Sequence, residues 1–84
     1  YTRTVAVRYA AGESPVAEAC VAKNASVAAC DWVVDQAVQL HGGAGYMRES
    51  EVERHYRDAR ILGIGGGATE VLDDLAAKVW GFTE

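Results

Sequence analysis

Apolar and polar positions follow a helical period along nearly the whole chain. Val5, Ala6, Tyr9 and Ala10 recur at helical spacing between Tyr1 and Ala11, and Gly12 is placed to end that segment as its C-cap glycine. The segment enters at residue 1 without a capping side chain, so the first turns of this helix are expected upstream. Ser14-Pro15 is a start signal, with Ser14 as N-cap and Pro15 as the first helical residue. From there to Leu40 or His41 no glycine or further proline interrupts the pattern, which predicts a helix of about seven turns. It is rich in alanine, with Cys20, Val27, Trp32, Val34 and Val38 among the alanines. Asn24, Asp31 and Asp35 share one narrow polar face. A helix apolar over most of its girth is expected to lie buried between neighbours, and small side chains let those neighbours approach. Gly42, Gly43 and Gly45 stop it.

A third helix is predicted from Ser50, where Ser50-Glu51-Val52-Glu53 reads as a capping box. Val52, Tyr56 and Ala59 form its inward stripe, and Glu53–Arg57 and Arg54–Asp58 are spaced as i,i+4 ion pairs. A last helix, from about Thr69 to Trp80, gathers Val71, Leu72, Leu75, Ala76, Val79 and Trp80 on one face. No segment alternates with the period of two that marks a strand. The fold class is therefore all-α, a helical bundle.

Composition narrows the function classes. The chain has 84 residues, 50% of them apolar and 24% charged, which fits one small globular domain. Its net charge of -4 leaves no basic face to neutralise phosphates, so no nucleic-acid partner is expected. No apolar run approaches the ~20 residues that span a bilayer, so no membrane is expected either. Cys20 and Cys30 read as buried small hydrophobes. On one helix they sit ~15 Å apart, too far for a disulfide. Their spacing with His41 and His55 matches no zinc pattern, so no metal is expected. Reduced thiols fit an intracellular, cytoplasmic protein.

The densest unusual feature is the glycine loop Gly63, Gly65, Gly66 and Gly67, just before the last helix. Gly63-x-Gly65-x-x-Ala68 fits the loose dinucleotide fingerprint G-x-G-x-x-G/A. That fingerprint needs a buried strand before its first glycine, and here a charge-paired helix precedes it, so the match is coincidental. The Walker A motif fails as well, since no Gly-Lys-Ser/Thr follows. Two readings stay open on the residues alone. Backbone N–H groups and the positive end of the helix dipole suit a polar or anionic group, or the glycines only allow a sharp turn.

The segment from Asp35 to Leu72 closely resembles the C-terminal region of the acyl-CoA dehydrogenases. Two signatures carry the resemblance, which spans roughly residues 15 to 80. The first is Gln39-Leu40-His41-Gly42-Gly43-Ala44-Gly45-Tyr46; the second is Arg57-Asp58-Ala59-Arg60, followed by the glycine loop and the start of the last helix. The resemblance implies the C-terminal four-helix-bundle domain of a larger flavoenzyme, over residues 1–84 and with its first helix truncated. The domains that precede it in the family lie outside this chain. It implies FAD as cofactor, an acyl-CoA thioester as substrate, an electron-transferring flavoprotein or similar acceptor as partner, and a homo-oligomer, dimer or tetramer.

The same resemblance assigns roles. Gln39, Leu40, His41, Gly42 and Gly43 correspond to the run that reaches the FAD of a neighbouring subunit. Ala68, Thr69 and Glu70 correspond to the FAD-contacting residues that open the last helix, with Ala68 in place of the usual threonine. Many members carry the catalytic glutamate where this chain has Gly66, so no catalytic base is expected among these residues. Relatives of the long-chain and isovaleryl types have Gly or Ala there and carry the glutamate on an earlier helix. Gly66 and Gly67 would then line the acyl pocket. The alternative reading is a non-catalytic oligomerisation subunit or interaction module of a heteromeric relative. The 84-residue chain alone is expected to be inactive.

Overall fold

One 26-residue helix, α2 (Val16–His41), organises everything else. Around it lie α1 (Thr2–Ala10), the single-turn α3 (Gly43–Tyr46), α4 (Glu51–Ala59) and α5 (Thr69–Val79), with a 3₁₀ turn at Arg60–Gly63 after α4. This computed structural model describes residues 1–82, and among them no strand occurs. The all-α expectation holds. Each helix makes its principal contacts with α2, so the helices line a mast and do not close around a shared centre. The radius of gyration, 16.1 Å, exceeds the about 12 Å of a compact chain this long.

The ends of α1 and α2 follow from local chemistry. Gly12 has φ +92°, which only glycine adopts without strain. It lets Gly12 N–H donate to the Tyr9 carbonyl (3.0 Å) and Glu13 N–H to that of Arg8 (3.1 Å), the paired bonds of a Schellman end. The start of α2 corrects the sequence expectation. The Ser14 hydroxyl accepts no capping hydrogen bond, and the helix begins at Val16 with Pro15 in the cap position. Pro15 (φ -80°, ψ 66°) is buried in an inverse γ-turn, where Val16 N–H donates to the Ser14 carbonyl at 2.9 Å. At the far end Gly42, φ +63°, stops α2 as expected.

The core is thin because its residues are small. Ala17, Cys20, Ala22 and Val27 of α2 are buried, and Ala17 and Cys20 meet Ala76 of α5 with Leu72 packed beside them. Ala17 is 0% exposed, so α5 approaches α2 at a distance that admits no larger side chain. Ala17→Leu is expected to destabilise the natural full-length protein by about 1–3 kcal/mol through overpacking, read as a fall in melting temperature. Both cysteines are free.

Several side-chain expectations are refined or corrected. Asn24, on the same face of α2 as Asp31 and Asp35, is bonded to α5: its amide Nδ2 donates to the Thr69 carbonyl (3.0 Å) and to Asp73 Oδ1 (2.7 Å). The Ser50 capping box does not form, because the Glu53 carboxylate turns to the Arg57 guanidinium. A charge-assisted bond is the stronger use of that carboxylate. Arg54 pairs with Glu51 (3.3 Å), not with Asp58. Of the predicted α5 stripe only Leu72 and Ala76 pack inward, while Val71 and Val79 stay more than half exposed. The expected burial of α2 on most sides is also absent within this chain: Trp32 is 66% and Leu40 87% exposed.

Candidate functional site

The glycine loop and the start of α5 are built jointly with α2. Lys23 Nζ donates to the carbonyls of Gly65 (2.9 Å) and Gly67 (2.6 Å), and Asn24, next along α2, holds the Thr69 carbonyl. Two adjacent α2 residues therefore fasten the loop and the helix it feeds. Gly66 (φ +68°) and Gly67 (φ +101°) lie in the left-handed region. A Cβ on Gly67 would come within 2.8 Å of Leu72 Cδ2, whereas one on Gly66 meets nothing within 4 Å. Thr69 Oγ1 reaches the Gly63 carbonyl only at 3.5 Å, so the hydroxyl contributes little to the turn.

Beside this loop opens a cleft of about 700 Å³ between α2, α4 and α5. Ala68, Thr69 and Glu70 line one wall, Trp32 and Asp35 the other, and Arg60 and Tyr56 stand at its side. The first amides of α5 have no partner within the helix, so they and the positive end of its dipole border the same space. A second cleft of about 620 Å³ shares Asp35 and Tyr56 with the first and adds Met47, Arg48, Glu53 and Arg57. Its ion pair is one-sided: Glu53 Oε1 faces Arg57, but Oε2 is buried without a hydrogen-bond partner among the described residues. The Glu53 carboxylate raises the affinity of Arg57 for its proton above the ordinary value, so this guanidinium stays charged at every physiological pH.

The residues singled out in the sequence fall into two places. Ala68, Thr69 and Glu70 come together in the first cleft. Gly66 and Gly67 border it in sequence without lining it. Gln39, Leu40, His41, Gly42 and Gly43 sit elsewhere, all exposed at the C-terminal end of α2. Asn24 marks the level of Thr69, and Gln39 lies about 22 Å further along the axis at ~1.5 Å per residue. His41 Nδ1 pairs with the Ala37 carbonyl at 2.8 Å, an ordinary helix-end contact. At Gly42 and Gly43 an added Cβ meets nothing within 4 Å, so the main chain itself is presented there. Sequence reasoning missed Lys23 and the partners of Asn24. A lysine and an asparagine inside an alanine-rich helix were the available signal.

The sequence model for the acyl-CoA dehydrogenase C-terminal domain matches residues 1–80. The chain belongs to the acyl-CoA dehydrogenase family. A crystal structure described as an acyl-CoA dehydrogenase of Mycobacterium smegmatis is 64% identical and superposes with a TM-score of 0.96 over 100% of this chain and 22% of its own. The short-chain specific acyl-CoA dehydrogenase of Bos taurus mitochondria is 48% identical over 54 residues, 64% of this chain and 13% of that protein. The caffeyl-CoA reductase-Etf complex subunit CarC of Acetobacterium woodii is 44% identical over 54 residues, again 64% of this chain and 14% of its own. The chain thus spans about a fifth or less of the acyl-CoA dehydrogenases it matches. Among the described residues, no helix is long and apolar enough to cross a membrane, and no cluster of three potential metal ligands occurs.

Proposed function

We propose that residues 1–84 form the C-terminal helical domain of an FAD-dependent enzyme that oxidises the α,β bond of an acyl-CoA thioester. The observation that carries this reading is the presented main chain at Gly42–Gly43, beside the exposed Gln39 and Leu40. These groups fit a flavin dinucleotide. The amide of Gln39 offers both a donor and an acceptor, Leu40 (87% exposed) offers apolar contact, and the bare glycines admit close approach. Gln39, Leu40, His41, Gly42 and Gly43 would hold the FAD of a second subunit, as the corresponding run does in the family, since they stand exposed at the C-terminal end of α2 and outside the lining of the Ala68–Glu70 cleft. Ala68, Thr69 and Glu70 would contact the FAD of their own subunit, Ala68 through its backbone only.

Bound FAD supplies the hydride acceptor for the acyl β-carbon. The remaining chemistry is removal of an α-proton, and this chain offers no base at Gly66. The proposed role of Gly66 and Gly67 is space. The open side-chain direction of Gly66 leaves the acyl pocket room for a bulky or branched chain, Gly67 lets the main chain pass close to Leu72 beside it, and the base comes from a segment upstream. The partners proposed with this reading are an acyl-CoA, an electron-transferring flavoprotein or similar acceptor, and further copies of the same chain in a dimer or tetramer. The proposed location is the cytoplasm.

Gly66 also favours a second reading, a subunit that assembles with a catalytic relative and performs no chemistry. Purification of the natural full-length protein separates the two. Stoichiometric FAD that bleaches anaerobically on addition of an acyl-CoA is the expected result. A flavin-free protein, or one whose flavin is unchanged by short, long and branched acyl-CoAs, rejects the enzymatic reading.

A further inference from the structure

We propose that Lys23 is the positioning residue of the glycine loop, setting where Gly66 stands without itself touching substrate. Lys23 lies on α2, yet it forms none of the ion pairs among the described residues. Its ammonium instead donates to two main-chain carbonyls, Gly65 at 2.9 Å and Gly67 at 2.6 Å. Those carbonyls flank Gly66 on both sides. The loop has few other ties. Gly65 N–H donates to the Ile61 carbonyl at 2.7 Å before it, and Leu72 N–H to the Ala68 carbonyl at 3.0 Å after it. From the Gly65 carbonyl to Gly67 the described residues offer only the lysine; Asn24 holds the Thr69 carbonyl just beyond, and Thr69 Oγ1 reaches back to Gly63 only at 3.5 Å. Glycines at φ +68° and +101° have no side chains with which to pin themselves, and they are the residues with the most conformational freedom to lose.

The clamp has a direction. By drawing the two flanking carbonyls to α2, Lys23 leaves the side-chain direction of Gly66 facing open space. On the reading that Gly66 lines the acyl pocket, on which the catalytic part of this inference rests, the ammonium fixes the pocket wall from behind. The aliphatic stem of Lys23 lies in the apolar groove with Val5, Val16 and Ala19. A methionine there retains that packing and loses only the donors, whereas an arginine keeps two or more N–H groups.

The test uses the natural full-length protein with K23M and K23R. Hydrogen exchange of the amides of residues 64–68 is expected to quicken about tenfold or more in K23M and to stay near wild type in K23R. The kcat for acyl-CoA oxidation is expected to fall about tenfold or more in K23M, with FAD content and melting temperature unchanged and most of the rate recovered in K23R, because small misplacements at a reacting centre are costly. Unchanged exchange in K23M overturns the clamp, whatever the activity. Faster exchange with unchanged kcat overturns its catalytic relevance. Faster exchange in a protein whose wild type oxidises no acyl-CoA leaves the clamp standing and rejects the enzymatic reading instead. Should K23M not fold, K23Q, which keeps a donor amide on a shorter stem, is measured in the same way.

Discussion

Purified alone, the 84-residue chain is expected to elute colourless and at a mass above the 9.0 kDa of its monomer. The loss of flavin should be complete. The two groups of proposed FAD contacts line no common cleft on one chain, and neither encloses a cofactor: Gln39 to Gly43 are exposed at the C-terminal end of α2. Self-association follows from the balance of buried and exposed apolar surface. Among the described residues no large side chain is fully buried, and the core consists of alanines, a cysteine and two valines. Trp32, Val33, Leu40, Tyr46 and Phe82 are all more than half exposed. Burying one such side chain is worth about 1.5–3 kcal/mol, comparable to a sizeable part of the stability of a small domain. Exposed apolar patches of this kind usually find a partner, most simply a second copy in a two-fold pair. Light scattering and gel filtration at micromolar concentration read both outcomes. Stoichiometric FAD on the eluted chain, or a sharply unfolding 9.0 kDa monomer, contradicts them.

What the sequence made legible were features decided within one or two turns of chain. The helical period needed no tertiary information, and neither did Gly12 or Gly42, whose positive φ values are local requirements. The features it hid are those in which a side chain chooses between a near and a distant partner. Lys23 carried no assignment of its own in the alanine-rich helix, and Asn24 read only as part of a narrow polar face. Their partners lie 42 to 49 residues further on, in a loop whose position exists only after α5 has docked. Glu53 had two local options, the Ser50 backbone and the Arg57 guanidinium, and the charged one prevailed. The apolar girth of α2 was legible as a pattern, but the pattern cannot say whether the covering surface lies in the same chain. Within the described residues it does not cover Trp32 or Leu40. The site shows the same division: the motifs pointed to Gln39–Gly43 and Ala68–Glu70, and only the fold shows that they stand at separate levels of one helix.

Gly67→Ala is expected to be far more damaging than Gly66→Ala, although the two glycines are neighbours with similar backbones. Both have positive φ, +68° at Gly66 and +101° at Gly67, so both alanines incur the left-handed cost of about 1–2 kcal/mol. The surroundings then separate them. At Gly66 the new methyl enters open space, and the backbone cost is the whole effect. At Gly67 it would stand 2.8 Å from Leu72 Cδ2, closer than real Cβ atoms come, and a tight 3.1 Å from Leu72 Cγ. Leu72 cannot simply rotate aside, because it packs against the Ala17–Cys20–Ala76 cluster that joins α5 to α2. Overpacking there adds about 1–3 kcal/mol, for a total near ~2–5 kcal/mol against ~1–2 kcal/mol at Gly66. In the natural full-length protein the Gly67 variant should melt several degrees lower than the Gly66 variant. If flavin is held as proposed, the Gly67 variant should also lose FAD first, since displacing Leu72 shifts the start of α5, where Ala68, Thr69 and Glu70 stand. Equal melting temperatures for the two variants would show that α5 yields freely at its first turn, and that the loop is held by Lys23 and Asn24 and not by the packing of Leu72.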